Sequence, residues 1–88
     1  MIEARATIKN KLGIHARPAM LLAQTANQFE SDVYICKNDM EVNGKSVLGI
    51  MMLVAPQGTE LIIRCEGPDE KEALEALLKI IEEGFGEE

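Results

Sequence analysis

The sequence predicts an α+β fold of two layers, in which amphipathic helices cover one face of an antiparallel β-sheet. Four short segments alternate between apolar and polar residues, the pattern of strands with one buried and one solvated face. Two further segments carry an apolar stripe at helical spacing, and a third is short and almost entirely apolar. The elements follow in the order β-α-β-β-α-β-α, which predicts a four-stranded sheet with all three helices on one side.

The first half of the chain is predicted to contain three strands and one helix. Residues 2–9 alternate in polarity and form the first strand, and a helix follows from about Ala16 to Asn27. Asp32 to Lys37 and Met40 to Asn43 form two strands, which the pair Asn38-Asp39 joins in a tight hairpin turn. The apolar face of the helix consists of Ala19, Leu22, Ala23 and Ala26.

The middle of the chain is predicted to contain one short helix and the last strand. Ser46 is a good N-cap for a helix of roughly Val47 to Leu53. A turn cluster at residues 56–59 then leads to the strand Glu60 to Glu66.

The last helix is expected to begin after Asp69 as its N-cap, with Glu72 completing a capping box. Gly84 is suited to end this helix, and residues 86–88 are expected to be frayed. The apolar face of the helix consists of Ala73, Leu74, Leu77, Leu78 and Ile81.

Length and charge restrict the class of function. The 88 residues suffice for one small domain, residues 1–88, with a single core. A net charge of −6 and an aromatic content of 3% argue against nucleic-acid binding, which needs a basic surface or stacking aromatics. Residues 1–5 carry charges where a signal peptide would become apolar, and the longest apolar run, residues 47–55, is too short for a bilayer. We therefore expect a cytoplasmic protein without nucleic-acid partners and without membrane insertion.

The two cysteines are expected to be free thiols. Alternation within their strands turns Cys36 outwards and Cys65 inwards, and opposite faces of a sheet cannot be bridged without distortion. With a single histidine in the chain, the sequence also contains no set of zinc ligands, and no metal is expected.

The single histidine, His15, lies where a helix is predicted to begin. Pro18 is tolerated in the first turn of a helix, so the helix starts at about Ala16 with His15 at the cap position. The first backbone N–H groups, those of Ala16 and Arg17, then favour an anion beside the imidazole, and the Arg17 guanidinium suits phosphate oxygens. These groups predict a site for a phosphoryl group; the alternative is a surface histidine that merely caps a helix.

Residues 13–19, Gly-Ile-His-Ala-Arg-Pro-Ala, resemble the active-site signature of the HPr family, the histidine-containing phosphocarriers of the bacterial phosphotransferase system. Residues 45–53 resemble the regulatory serine of that family and the short helix after it, and the two motifs stand at the family's spacing. The resemblance covers nearly the whole chain. It implies an open-faced β-sandwich with strand order 1-4-2-3.

The resemblance also implies a role for each residue of the first motif. His15 would accept a phosphoryl group on Nδ1 from the phosphohistidine of enzyme I and pass it to a sugar-specific enzyme IIA, while Arg17 and the backbone of Ala16 and Arg17 hold the phosphate. Such a protein is a relay and not an enzyme with its own turnover. It needs no cofactor, since the phosphoryl group comes from phosphoenolpyruvate through enzyme I. The helix N-terminus and Arg17 both disfavour the protonated ring, which keeps a lone pair available.

Ser46 has two interpretations. Resemblance to HPr proteins of the Gram-positive type implies phosphorylation by an ATP-dependent HPr kinase/phosphorylase and recognition by a transcriptional regulator. In enteric-type relatives the serine is present without that regulation, and Ser46 would then be an ordinary helix cap.

A partner-binding surface is predicted around the short helix. A peripheral helix of one or two turns can bury only one face, yet this one is apolar nearly all round. Methionine-rich surfaces repack easily and suit docking to several partners. The predicted docking residues are Met20, Val47, Leu48, Met51 and Met52.

Three other functions stay open at this point. A nitrogen-branch HPr would use the same chemistry for regulation instead of sugar transport. A purely regulatory HPr-like protein would act through Ser46 alone, although by resemblance such paralogues lack the histidine that stands here at position 15. A small-molecule sensor on a similar layout would be stabilised by its ligand and would not be phosphorylated.

Overall fold

The computed structural model describes residues 1–87, which form a four-stranded antiparallel sheet with helices packed against one face. The strands are β1 Ile2–Thr7, β2 Asp32–Lys37, β3 Met40–Asn43 and β4 Glu60–Glu66. The strand order is β1-β4-β2-β3, as the resemblance implied. The last strand, β4, therefore lies between β1 and β2 and pairs with both. The helices are α1 Ala16–Ala26, α2 Val47–Met51 and α3 Glu70–Glu82, and a 3₁₀ turn follows at Gly84–Gly86.

The predicted elements are all present; α1 ends one residue earlier than expected, and β1 and α2 are each two residues shorter. β1 ends at Thr7 and not at residue 9, because Thr7 pairs with Glu60, the first residue of β4, and no strand continues beyond it. α2 ends at Met51, because the chain turns at Leu53 and enters the left-handed region at Val54, with φ of +50°. The β2–β3 hairpin has the expected two-residue loop, since Lys37 pairs directly with Met40.

The core lies between the inner face of the sheet and the apolar faces of the helices. Every second residue of the two central strands points into it, which is why their sequences alternate. The predicted stripe of α1 is buried completely, and that of α3 is buried except for the half-buried Leu78. The residues buried from the two central strands are Val33, Ile35, Leu61, Ile63 and Cys65.

The N-terminus of α3 differs from the predicted capping box. Asp69 is the N-cap residue, but its side chain makes no capping bond; it accepts hydrogen bonds from Ser31 N and Glu30 N, both at 2.9 Å, and from Ser31 Oγ at 2.5 Å. Glu72 is exposed, and Glu70 instead accepts from Gly67 N at 3.0 Å. Asp69 is drawn away because the loop before β2 presents N–H groups that have no strand partner, so a tertiary contact replaces the local one.

The cysteines lie on opposite faces of the sheet, as predicted. Cys36 is half-buried, Cys65 is buried, and both are free thiols. Within residues 1–87 every helix is too short or too polar to cross a bilayer. The same part of the chain brings together no three metal-ligating side chains.

The chain after α3 is ordered by contacts, contrary to the expected fraying of residues 86 and 87. Gly84 ends α3 in the left-handed conformation, as predicted, with φ of +64°. Phe85 follows with φ of +60° and turns its ring into the core, where it is 3% exposed. This turn directs Glu87 back across the molecule towards the start of α1. Residue 88 lies outside the described part of the chain.

Candidate functional site

His15 is the N-cap residue of α1, at the position predicted from Pro18. Its backbone is extended, its carbonyl accepts the N–H of Ala19 at 3.0 Å, and its side chain makes no capping bond. The ring is therefore free to do something other than cap the helix. The N–H groups of Ala16 and Arg17 belong to the first turn, where helix amides have no partner within the helix. His15, Ala16 and Arg17 thus lie together at one helix end, as the sequence predicted.

The loop before His15 is held against the segment that follows α2. Gly13 has φ of +70°, and a side chain there would overlap the Ala55 carbonyl and Pro56. The next residue, Ile14, donates its N–H to Ala55 O at 2.8 Å. Only glycine permits this close approach of two loops. The contact therefore packs the loop that precedes His15 against residues 55 and 56, which follow α2.

A carboxylate that the sequence analysis did not identify faces the His15 ring. Glu87 Oε2 lies 2.9 Å from His15 Nε2 and 3.3 Å from Arg17 Nη1, and Arg17 Nη1 also donates to Phe85 O at 3.2 Å. Asn10 Nδ2 donates to the other oxygen, Glu87 Oε1, at 2.8 Å. Arg17 therefore binds the returning chain segment, and both oxygens of Glu87 have partners.

These contacts keep Glu87 ionised. The hydrogen bond from Asn10 is the main cause that lowers the pKa of Glu87 below its ordinary value, and the hydrogen bond to His15 and the charges of His15 and Arg17 act in the same direction. Partial burial opposes them, since it raises the pKa. The site thus contains a negative charge next to the ring as well as the predicted positive groups. No local pattern could reveal this residue, because 72 positions separate it from His15.

Ser46 is the N-cap of α2, as predicted. Its Oγ accepts a hydrogen bond from Gly49 N at 3.0 Å, and its own N–H donates to Asn43 O at 3.1 Å. Ser46 belongs to a different element from His15, and within residues 1–87 no hydrogen bond joins it to His15 or Arg17. The two predicted sites are therefore separate features of one surface, linked through the packing of α1 against α2.

The predicted docking residues are exposed, with one exception. Leu48 is 71% exposed, Met52 59%, Met20 47% and Met51 41%, whereas Val47 is half-buried against the core. Two loop residues that the sequence analysis missed, Leu12 and Val54, are 73% and 69% exposed. They were missed because loop residues follow no periodic pattern. Leu12 and Val54 line a shallow depression together with Ile14 and Met51, so the apolar surface reaches the loop that carries His15.

Comparison with known proteins identifies the family. The family model described as "PTS HPr component phosphorylation site" matches residues 2–83. The chain belongs to the HPr family. It is thus a component of the phosphotransferase system, from a family of phosphocarrier proteins.

Similar HPr proteins are known in sequence and in structure. Phosphocarrier protein HPr of Neisseria meningitidis is 48% identical over 87 residues, which cover 99% of this chain and 98% of the relative. The HPr-like protein Crh of Bacillus subtilis is 42% identical over 83 residues, which cover 94% and 98%. The crystal structure of HPr-C-His from Thermoanaerobacter tengcongensis is 49% identical and superposes with a TM-score of 0.96, covering 100% of this chain and 99% of that one. The open-faced sandwich described above is therefore the HPr fold.

Proposed function

We propose that this protein accepts a phosphoryl group on Nδ1 of His15 from phosphorylated enzyme I and passes it to enzyme IIA domains. The relay would serve phosphoenolpyruvate-dependent sugar uptake in the cytoplasm, with residues 1–88 acting as one carrier domain. The protein would need no cofactor of its own, since the phosphoryl group is derived from phosphoenolpyruvate through enzyme I. It would be a covalently modified carrier and not an enzyme with turnover.

The geometry of the His15 ring carries this proposal. One ring nitrogen, Nε2, faces Glu87, while the other, Nδ1, has no hydrogen-bond partner within residues 1–87. The side chain is 38% exposed, so a partner's phosphoryl group can reach it. The helix amides of Ala16 and Arg17 and the guanidinium of Arg17 provide donors for phosphate oxygens at the same helix end. A nucleophile and groups that stabilise the adduct are thus together.

The transfer is a displacement at phosphorus. The Nδ1 lone pair of His15 forms a new N–P bond while the P–N bond to the histidine of enzyme I breaks, and its electron pair stays on the departing imidazole nitrogen. In the second step the roles reverse, and His15 is the leaving group when the acceptor of enzyme IIA attacks. The protein contributes orientation and charge stabilisation rather than covalent activation. The backbone N–H groups of Ala16 and Arg17 are already at the helix end, and the Arg17 guanidinium, which binds Glu87 and Phe85 O through Nη1, has further N–H groups for phosphate oxygens.

Incubation with phosphoenolpyruvate and enzyme I, followed by intact-mass analysis, tests this proposal. We expect the wild-type protein to gain one phosphoryl group in a linkage that acid hydrolyses and alkali does not. His15→Ala should gain none. Because the chain has one histidine, no second imidazole can take over. A His15→Ala protein that still becomes phosphorylated by enzyme I would refute the assignment.

The exposed apolar surface supports docking of enzyme I and enzyme IIA at the same place. Met20, Leu48, Met51 and Met52 are exposed, and Val47 supports them from below. Exposing several neighbouring apolar side chains to water is unfavourable, and such a patch is typical of a surface that a partner protein covers. Since the surface continues to the loop of His15, a partner bound there would reach the ring.

We also propose that phosphorylation of Ser46 by an HPr kinase/phosphorylase slows the His15 relay and creates a surface for a transcriptional regulator. A phosphoserine at this position would lie at the N-terminus of α2, where negative charge is favourable, so the fold should tolerate it. The charge would adjoin Leu48, which is 71% exposed and would be desolvated in a complex. Desolvating the phosphate makes binding of enzyme I less favourable.

Ser46→Asp tests this regulation against Ser46→Ala. Aspartate adds charge and remains a good helix cap, whereas alanine removes the cap without adding charge. We expect Ser46→Asp to slow phosphorylation by enzyme I at an almost unchanged unfolding midpoint, and Ser46→Ala to leave the rate unchanged. Equal rates for Ser46→Asp and wild type would make Ser46 an ordinary helix cap.

A second candidate is a regulatory HPr-like protein that acts through Ser46 alone. The HPr-like protein Crh of Bacillus subtilis is 42% identical to this chain, but His15 argues against the candidate, because the resemblance implies that purely regulatory paralogues lack the histidine. Such a protein needs no phosphoryl transfer at His15. Adding an enzyme IIA domain to the enzyme I assay therefore separates the two functions, because only a carrier passes its phosphoryl group on to that domain. A nitrogen-branch carrier would use the same chemistry, and the enzyme IIA that accepts the label would identify it.

A further inference from the structure

Residues 84–87 form a structured arm that brings a carboxylate to the reactive histidine. Gly84, Phe85 and Gly86 all have positive φ, at +64°, +60° and +73°. A phenylalanine rarely adopts this conformation, and the burial of its ring in the core offsets the strain. Glu87 N then donates to Gly84 O at 3.0 Å and closes the turn. The arm is therefore held by the core at one end and presents Glu87 at the other.

Asn10 holds the carboxylate from the opposite side. Asn10 is 3% exposed, and its Nδ2 donates both to Glu87 Oε1 and to Gly13 O, each at 2.8 Å. Its Oδ1 is buried without a partner among the described residues. The side chain therefore donates two hydrogen bonds through Nδ2 while its acceptor oxygen stays unpaired, which is unfavourable by itself. Asn10 thereby ties Glu87 to the loop that carries His15. The Glu87 side chain is only 18% exposed, so most of it is enclosed by the site.

The chemistry of the pair decides which ring nitrogen carries hydrogen. An ionised carboxylate can only accept hydrogen bonds, so the His15 Nε2 that faces Glu87 Oε2 at 2.9 Å must donate. A neutral imidazole has one N–H, and with that hydrogen on Nε2 the lone pair is on Nδ1. Nδ1 is the nitrogen without a partner in residues 1–87.

We propose that Glu87 is a positioning residue for phosphoryl transfer, which holds the His15 ring as the Nε2–H tautomer and stabilises the positive charge that the ring gains at Nδ1. This inference rests on the proposed function. When Nδ1 forms its bond to phosphorus, Nε2 keeps its hydrogen and the ring becomes cationic. The donor's imidazole departs with the electron pair of the broken P–N bond. The negative charge of Glu87 at Nε2 stabilises that cation without accepting its proton.

NMR of the ¹⁵N-labelled protein tests the tautomer without any phosphorylation. The chain has a single histidine, so its ring gives one pair of nitrogen signals. In slightly alkaline buffer we expect the wild type to show a protonated Nε2, with an N–H proton protected from solvent exchange, and an unprotonated Nδ1. In Glu87→Ala the Nε2–H signal should be lost to exchange and the two nitrogen shifts should approach each other. Ring signals that superpose on those of the wild type would overturn the proposal.

Transfer kinetics test the charge. We expect Glu87→Ala to lower the rate of phosphorylation by enzyme I about three- to tenfold. This is the change in rate that results when the transition state loses the net free energy of one hydrogen bond. Glu87→Gln keeps an acceptor oxygen without the charge, and its rate should lie between those of Glu87→Ala and the wild type. Glu83→Ala removes a carboxylate from the exposed end of α3 and should change neither rate nor ring signals.

The two proposals fail in different ways. Wild-type protein that takes no phosphoryl group from enzyme I would refute the carrier function, whatever the ring signals show. A wild type that is phosphorylated, with an unchanged rate in Glu87→Ala, would refute the role of Glu87 alone.

Discussion

Replacing Arg17 by alanine separates a role in phosphoryl transfer from a role in folding. The Arg17 side chain is 58% exposed, and its contacts are a hydrogen bond to Phe85 O at 3.2 Å and an ion pair with Glu87 at 3.3 Å. Exposed ion pairs contribute about 0–1 kcal/mol to folding. In a domain of this size 1 kcal/mol corresponds to about 4–8 °C in the unfolding midpoint, so we expect the midpoint to fall by less than about 8 °C.

The effect on transfer should be larger. Losing a charge-assisted donor to the phosphoryl oxygens should slow phosphorylation by enzyme I about tenfold or more, which corresponds to about 1.4 kcal/mol. Thermal unfolding and single-turnover kinetics measure the two quantities on the same samples. Arg17→Lys is the matched control, because it keeps the charge without the planar fork and should recover part of the rate. A midpoint lowered by ten degrees or more with unchanged kinetics would show that Arg17 serves the fold by fastening residues 85–87.

Two further expectations concern the docking surface and acid stability. Leu48→Asp should weaken binding to enzyme I at least tenfold in an NMR titration, at an unchanged unfolding midpoint. Met40→Asp is the control, because Met40 is an exposed apolar residue of β3, and this variant should bind normally. An unfolded Leu48→Asp protein would place Leu48 in the core. Hydrogen bonds from Ser31 and from the Glu30 N–H lower the pKa of Asp69, so its contribution to stability is present above the ordinary aspartate pKa and is lost as the pH falls through the lowered value. Asp69→Asn should reduce this acid dependence in unfolding titrations, and an unchanged pH profile would contradict it.

The fold was predictable because its signals are local and periodic. Alternation in β2 and β4 reflects a sheet with one buried face, and the stripe of α1 reflects a helix lying on that face. A distant partner decided the outcome at two places where the prediction was wrong. β1 ends at Thr7 because β4 begins opposite it, and Asp69 binds the loop at Ser31 instead of capping its own helix.

In the candidate site, too, local features were predictable from the sequence and long-range contacts were not. The sequence by itself determined the position of His15, because Pro18 defines the first turn of α1 and short-range sterics control where a helix begins. It also determined that some apolar residues of the short helix are exposed, since a helix of one or two turns cannot bury every face, and Leu48 is one of them. Only the tertiary structure decided what faces the ring. Glu87 reaches His15 because the ring of Phe85 is buried in a core built from distant elements, and a contact across 72 positions leaves no periodic trace in the sequence.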